Sequence, residues 1–271
     1  MPFAAFKTQE ISMLEIKKVT LIEQLSDLKQ QYMELTTAPL DGMWLCGFVP
    51  MANHFGFYKG ETLVGFCCIN EEGYLLQFYL CSEVQTEAPL ILQSLLTQKD
   101  SPTGNVNGAF ASTAEPQYLS LCFDTFSTFS VSTLMYQLSK GLPQFDGEKS
   151  IFHMPVIKIE QLAEAVDFAK TTLGAPEEWL SGYFTNLINR QELRGHWEND
   201  QLIATGECRG FDEYQQKYAD LGVIVDESQR GKGLGTQVLL HQISVAEARG
   251  LRPICSTEKA NIGAQKAISR A

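Results

Sequence analysis

The stretch Leu221-Gly222-Val223-Ile224-Val225, followed by Gln229-Arg230-Gly231-Lys232-Gly233-Leu234-Gly235-Thr236, decides how the chain is read. An apolar, β-branched run feeds a loop with three glycines and two bases, and a helix-forming segment begins behind it. Glycines let backbone N–H groups converge on an anion without Cβ interference. The first turn of a helix adds N–H donors without intrahelical acceptors and the positive end of the helix dipole. The expected unit is strand, phosphate-cradling turn and helix.

Downstream, the helix Leu234 to Ala248 meets Gly250, a left-handed stop. A strand over Leu251–Ser256 and a last helix over Asn261–Ser269 follow. Upstream lie a strand beginning at Asp220 and a hairpin, Glu192–Glu198 with Gln201–Arg209, turned by Asn199-Asp200. Before the hairpin, Ile159–Ala169 and Pro176–Ile188 have helical spacing, with Leu180, Tyr183, Phe184, Leu187 and Ile188 on one face.

The first half repeats this order. Apolar residues at 21, 22, 25, 28, 32 and 35 predict a helix between Val19 and Leu35. His54–Tyr58 and Thr62–Ile69 form a hairpin around Lys59-Gly60-Glu61, and Tyr74–Leu80 is a third strand. A helix over Ala88–Leu96, a strand near Val106–Ser112, a helix at Gln117–Phe123 and a strand near Thr128–Tyr136 complete it. Gly141 to Gly147 reads as a linker. The expectation is an α+β fold of two similar domains, 1–147 and 148–271, each a mixed, mostly antiparallel sheet flanked by helices. The copies differ after their third strands. Where the second has the glycine-rich loop, the first has Cys81-Ser82-Glu83-Val84-Gln85-Thr86-Glu87-Ala88, with no glycine, no base and two glutamates. A pyrophosphate would be repelled there.

Composition narrows the classes. The chain has 271 residues, 44% hydrophobic, with a formal net charge of −11. That balance argues against nucleic-acid binding, which needs a basic footprint. Residues 1–150 carry twice as many acids as bases, whereas the part with the loop is nearly balanced. No apolar run is long enough to span a bilayer, and the start carries no signal-peptide pattern. The seven cysteines lack zinc-type spacing and sit mostly in apolar runs, as in Phe66-Cys67-Cys68-Ile69. Free thiols in a cytoplasmic protein without a metal are expected.

A Walker loop needs Ser or Thr after its lysine, but Gly233 follows Lys232. A dinucleotide fingerprint would place its third glycine at Thr236, and too few strands follow it. Arg230-Gly231-Lys232-Gly233-Leu234-Gly235 closely resembles the acyl-CoA pyrophosphate motif, R/Q-x-x-G-x-G/A, of the GNAT superfamily of N-acetyltransferases. Asn261 and Ala264 look like that family's N-x-x-[SA] element. The resemblance is strong from Gln201 to Ala271 and concerns layout alone in the first half, which reads as a degenerate copy.

The resemblance implies an acyl-CoA-dependent N-acyltransferase, with acetyl-CoA as co-substrate and a small-molecule or peptide amine as acceptor. Pantetheine would lie where the strand of Val223, Ile224 and Val225 splays from Ile254–Ser256, bonded to the backbone of Val223 and Val225. Amides of Arg230, Gly231, Lys232, Gly233, Leu234, Gly235 and Thr236 would hold the pyrophosphate, with Asn261 nearby. The amine would attack the thioester directly. Family members continue past the last helix into another strand that often carries a thiolate-protonating Tyr; here either the sequence is cut short or the first half completes the sheet, and the general acid is left unassigned. The alternative is a CoA-binding regulator without turnover.

Asp220 and Glu207 are the candidate bases, because a carboxylate in a strand is costly unless paired or used. Glu207 could equally pair with Arg209 or Arg194, and Asp220 could cap a turn. Cys208 lacks a His partner and reads as a buried thiol. Trp179, Tyr183 and Phe184 read as core residues or as the edge of an acceptor site, and His241 as a surface residue.

Overall fold

In the first half, the period-two apolar pattern of residues 53–80 becomes a meander buried on both faces. A computed structural model describes residues 14–97, 101–139 and 152–271 and separates into two units, Met1–Phe129 and Ser130–Ala271.

The first unit opens with β1 (Glu15–Val19), a 3-10 turn (Ile22–Leu25) and α1 (Ser26–Glu34). A π turn, Trp44–Phe48, runs into the single turn α2 (Val49–Met51). Then come β2 (Asn53–Lys59), β3 (Thr62–Ile69), β4 (Tyr74–Leu80), a 3-10 turn over Ser82–Glu87, α3 (Ala88–Thr97), β5 (Gly108–Ala109) and α4 (Pro116–Thr125). The sheet order is β1-β2-β3-β4-β5, with β4/β5 its parallel pair. Ile91, Leu92 and Leu95 of α3 close one face with Phe57, Phe78 and Leu80. Leu28 and Tyr32 of α1 pack on Phe66 and Tyr79 across the other. The helix expected from Val19 starts later, because Val19 ends β1 opposite His54.

The second unit comprises β6 (Thr133–Gln137), α5 (Leu162–Leu173), α6 (Glu177–Asn189), β7 (Leu193–Glu198), β8 (Gln201–Gly210), β9 (Tyr218–Val225), α7 (Leu234–Ala248), β10 (Arg252–Glu258) and α8 (Ile262–Arg270). Asn199 and Asp200 both have positive φ, 49° and 62°, as a two-residue hairpin turn demands. The order is β6-β10-β9-β8-β7. Among the described residues of this sheet, only β9/β10 is parallel. Successive side chains alternate between faces. Cys208 and Leu221 therefore meet Leu239 and Ile243 of α7, and Ile224 meets Leu180, Phe184 and Leu187 of α6. Leu202 joins Ile224 there because the register shift at His196/Trp197 makes Ile203 an extra residue and turns Leu202 to the other face.

The units meet at Phe129/Ser130 rather than at the boundary expected at 147/148. The cause is β6, which was counted with the first half but pairs antiparallel with β10, Tyr136 opposite Cys255. The sheet thus gains a strand from upstream of the second unit's helices. The linker expected at Gly141–Gly147 lies outside the described residues. Among the described residues, no helix is long and apolar enough to cross a membrane.

Candidate active site

The site begins where two parallel strands part. β9 and β10 pair at Tyr218↔Arg252, Ala219↔Pro253 and Asp220↔Ile254. Beyond Asp220, β9 continues to Val225 paired with β8 alone. In an antiparallel pair, opposed residues alternate between exchanging hydrogen bonds and turning their backbone groups outward. Asp226 N–H donates to the Ile203 carbonyl at 2.9 Å, so the even positions of β9, Ile224 among them, face β8. The odd positions Leu221, Val223 and Val225 turn their N–H and C=O groups to the opening gap. Of the three residues expected along the co-substrate, Val223 and Val225 offer backbone groups, whereas Ile224 contributes a side chain buried against α6.

At the open end, Asp226 accepts from Ser228 N–H at 2.9 Å and caps a 3-10 turn over Glu227–Gln229. The loop then turns through Gly231 and Gly233 at φ +78° and +89°, and α7 starts at Leu234. A Cβ built on either glycine meets nothing within 4 Å, so both face open space and the glycines serve conformation, not packing. Arg230 Nε donates to the Val225 carbonyl at 3.3 Å, and Lys232 Nζ to Gln229 Oε1 at 2.9 Å. Both side chains are exposed. Within the predicted set of amides, Arg230 N–H is spent on Glu227 O at 3.2 Å and Thr236 N–H on Gly233 O at 3.1 Å. The cradle therefore narrows to the amides of Gly231 through Gly235. A Cβ on Gly235 would lie 3.6 Å from Ala267 Cβ of α8, an ordinary contact, so packing does not require glycine there. Asn261 caps α8, accepting from Ala264 N–H at 3.0 Å.

Asp220 and Glu207 come together on the α6 face of the sheet. Both are buried, at 1% and 6% exposure. Arg209 lies between them: its Nη2 donates to Asp220 Oδ2, and its Nε is 3.5 Å from Glu207 Oε2. Tyr183 of α6 completes the chain, donating to Glu207 Oε2 at 2.6 Å and accepting from Arg209 Nη1 at 2.7 Å. Burial, followed by the Glu207 charge, holds the Tyr183 phenol above its ordinary pKa, so it stays a donor. Trp179 stacks on Tyr183 with centroids 4.9 Å apart and an interplanar angle of 13°. Phe184 is core.

Sequence reading left Tyr183 undecided and assigned no role to Gly222, although an isolated glycine in a β-branched strand signals close approach. A Cβ on Gly222 would sit 2.8 Å from Glu207 Oε2 and 3.0 Å from its Cδ. Cys208 points to α7 and is buried, and burial pushes its thiol up. His241 is half-buried rather than superficial, and burial lowers its imidazole. Tyr136 of β6 shares the face of Cys255, which packs towards α7 and α8.

In the first unit β4 and β5 pair last at Leu75↔Ala109. There Tyr118 of α4 donates to the Leu75 carbonyl at 3.0 Å, which also accepts from Phe110 N–H at 2.8 Å, and Tyr32 donates to the buried Glu115 carboxyl. A cavity of about 20 Å³ remains beside them, room for roughly one water.

Two family models match, one described as an acetyltransferase (GNAT) domain over residues 21–139 and one as the acetyltransferase (GNAT) family over 161–270. A solved structure described as an acetyltransferase of the GNAT family from Colwellia psychrerythraea is 47% identical, with a TM-score of 0.89, covering 95% of this chain and 94% of its own. The chain belongs to the GNAT acetyltransferase family. A GCN5-related N-acetyltransferase from Sphaerobacter thermophilus shares the fold at 11% identity and a TM-score of 0.55, over 80% of this chain and 75% of its own. A comparison with curated proteins finds no match. The first GNAT match extends to residue 139 and so includes β6, which nevertheless builds the second sheet.

Proposed function

We propose that this GNAT protein is an acetyl-CoA-dependent N-acetyltransferase whose site lies wholly in the second unit. The observation that carries the reading is the conjunction of an open glycine cradle at the head of α7 with an unpaired stretch of β9 backbone leading from it to Asp220 and Glu207. The residues fit the co-substrate. Amides of Gly231 to Gly235 would hold the pyrophosphate, Arg230 and Lys232 would add charge, and Val223 and Val225 would bond pantetheine as a further strand does. Bound acetyl-CoA supplies an activated acyl carbon.

The chain's own residues supply the rest. Holding amine and thioester together replaces a bimolecular encounter by an oriented one. An N–H of Val223 or Val225 is placed to stabilise the oxyanion that develops at the thioester. Glu207 or Asp220 takes the proton that the amine loses. The acceptor is a small-molecule or peptide amine. No observation favours the alternative without turnover.

Calorimetry with acetyl-CoA tests the site. Arg230→Glu combined with Gly233→Pro should abolish binding, and survival of binding would refute the cradle. Release of CoA thiol across a panel of amines tests turnover; binding without release from any amine would refute the enzyme.

A further inference from the structure

We infer that Gly222 is a positioning residue of this site and that it acts through Glu207. Its missing side chain is the space into which the Glu207 carboxyl group leans, beside the backbone that faces the gap. The inference rests on the acetyltransferase reading.

Gly222 costs the strand stability, because glycine loses more backbone freedom on folding than any other residue. Its backbone does not require glycine, for its φ lies outside the left-handed region. Its neighbours Val223, Ile224 and Val225 are what a buried strand prefers. Packing explains the position. The three atoms nearest a built Cβ all belong to Glu207: Oε2 at 2.8 Å, Cδ at 3.0 Å and Cβ at 3.3 Å. Gly206 on the neighbouring strand also makes room, but for Gln242 and Val238 of α7. At Gly222 the room is made for a carboxylate.

The groups around Glu207 hold it in that room. Tyr183 donates from α6, Arg209 approaches from its own strand, and Asp220 of β9 faces Arg209. The residue opposite on β7 is apolar Leu193. Both polar contacts fall on Oε2, and Oε1 makes none among the described residues. Asp220, one residue pair back, is engaged by the guanidinium and marks the last paired position before the gap. Glu207 is thus the carboxylate with an oxygen to offer, and Asp220 and Arg209 set the field around it. As the N–C bond forms, the amine nitrogen passes its proton to Glu207. The C–S bond breaks with its electron pair on sulfur. The thiolate recovers that proton through solvent, regenerating the carboxylate.

A double-mutant cycle on thiol release, using the best amine of the panel, tests this coupling. Gly222→Ala should lower kcat by about 30-fold where Glu207 is intact, and should cost less than about twofold in the Glu207→Gln background. Its acetyl-CoA Kd should stay within about twofold, and the acid limb of its pH–rate profile should move. Adding Glu207→Asp to Gly222→Ala shortens the crowded acid and should recover part of kcat. An equal loss in both backgrounds, an undiminished Gly222→Ala enzyme, or no recovery with Asp would overturn the inference. A wild-type protein that binds acetyl-CoA but releases no thiol would instead overturn the acetyltransferase reading, a distinguishable result.

Discussion

β4 and β5 of the first unit part after Leu75↔Ala109, and β9 and β10 of the second part after Asp220↔Ile254. In the first unit buried Tyr118 of α4 bonds the Leu75 carbonyl at that last pair. In the second, backbone at Val223 and Val225 is left facing the fork, and a glycine loop opens at its end. The sheet faces beside the forks differ in the same sense. Cross-strand pairs against the preceding helices are Phe66↔Tyr79 and Cys68↔Gln77 in the first unit and Glu207↔Gly222 and Arg209↔Asp220 in the second. Tyr32 meets Phe66 and Tyr79 edge-on, at 5.8 and 6.1 Å, where Tyr183 meets a carboxylate and a guanidinium. One layout carries an aromatic core at this place, where the other carries the charged groups of the proposed site.

Changes to the two units should therefore separate cleanly. The largest effect is expected at Gly233→Val, where a β-branched residue must take φ near +89°; acetyl-CoA affinity in calorimetry should fall about 100-fold or more, roughly 3 kcal/mol. The wild-type stoichiometry should be one site per chain, and a value of two would break the contrast between the units. Tyr118→Ala should cost the first unit about 3–5 kcal/mol in denaturant unfolding, as large-to-small changes at fully buried aromatics do. It should leave acetyl-CoA affinity unchanged.

Glu115 gives the first unit a pH signature. Burial raises its carboxyl from 4.5 to about 7, against hydrogen bonds from Tyr32 and the Ser112 backbone that favour ionisation. A raised acid means that the folded state holds its proton more tightly. The contribution of Glu115 to stability is fully present below about pH 4.5 and is lost as pH rises through about 7. The loss at pH 8–9 relative to pH 4 is about 3 kcal/mol at most. Glu115→Gln should flatten this decline in melts taken from pH 4 to 9, and an unchanged slope would contradict the burial of a neutral acid. The smallest effect is expected at Glu83→Lys in the first unit's turn. Acetyl-CoA affinity should move by less than about twofold, since a charge alone does not make a cradle without glycines and an open fork.

Much of this contrast was legible in the residues. The glycine spacing at 231, 233 and 235 and the helix behind it required no tertiary information, because φ preferences and helix-end donors are local properties. The hairpin turn at Asn199-Asp200 and the stop at Gly250 were read for the same reason. Asp220 and Glu207 stood out as acids within strands, yet their joint engagement with Arg209 and Tyr183 depends on register and on a helix from elsewhere in the chain. The helix predicted from Val19 began too early, since apolar spacing at 21 and 22 does not reveal that Val19 pairs with His54.

The sequence by itself determined the tandem α+β layout, the family and the half in which the glycine-rich loop stands, since period, turn chemistry and charge are written locally. Tertiary structure alone decided three things: that β6 completes the second sheet, that Tyr118 reaches the Leu75 carbonyl, and that Gly222 leaves room for Glu207. Each depends on which strands become neighbours and which face a side chain takes, and these follow from packing of the whole unit rather than from any one stretch.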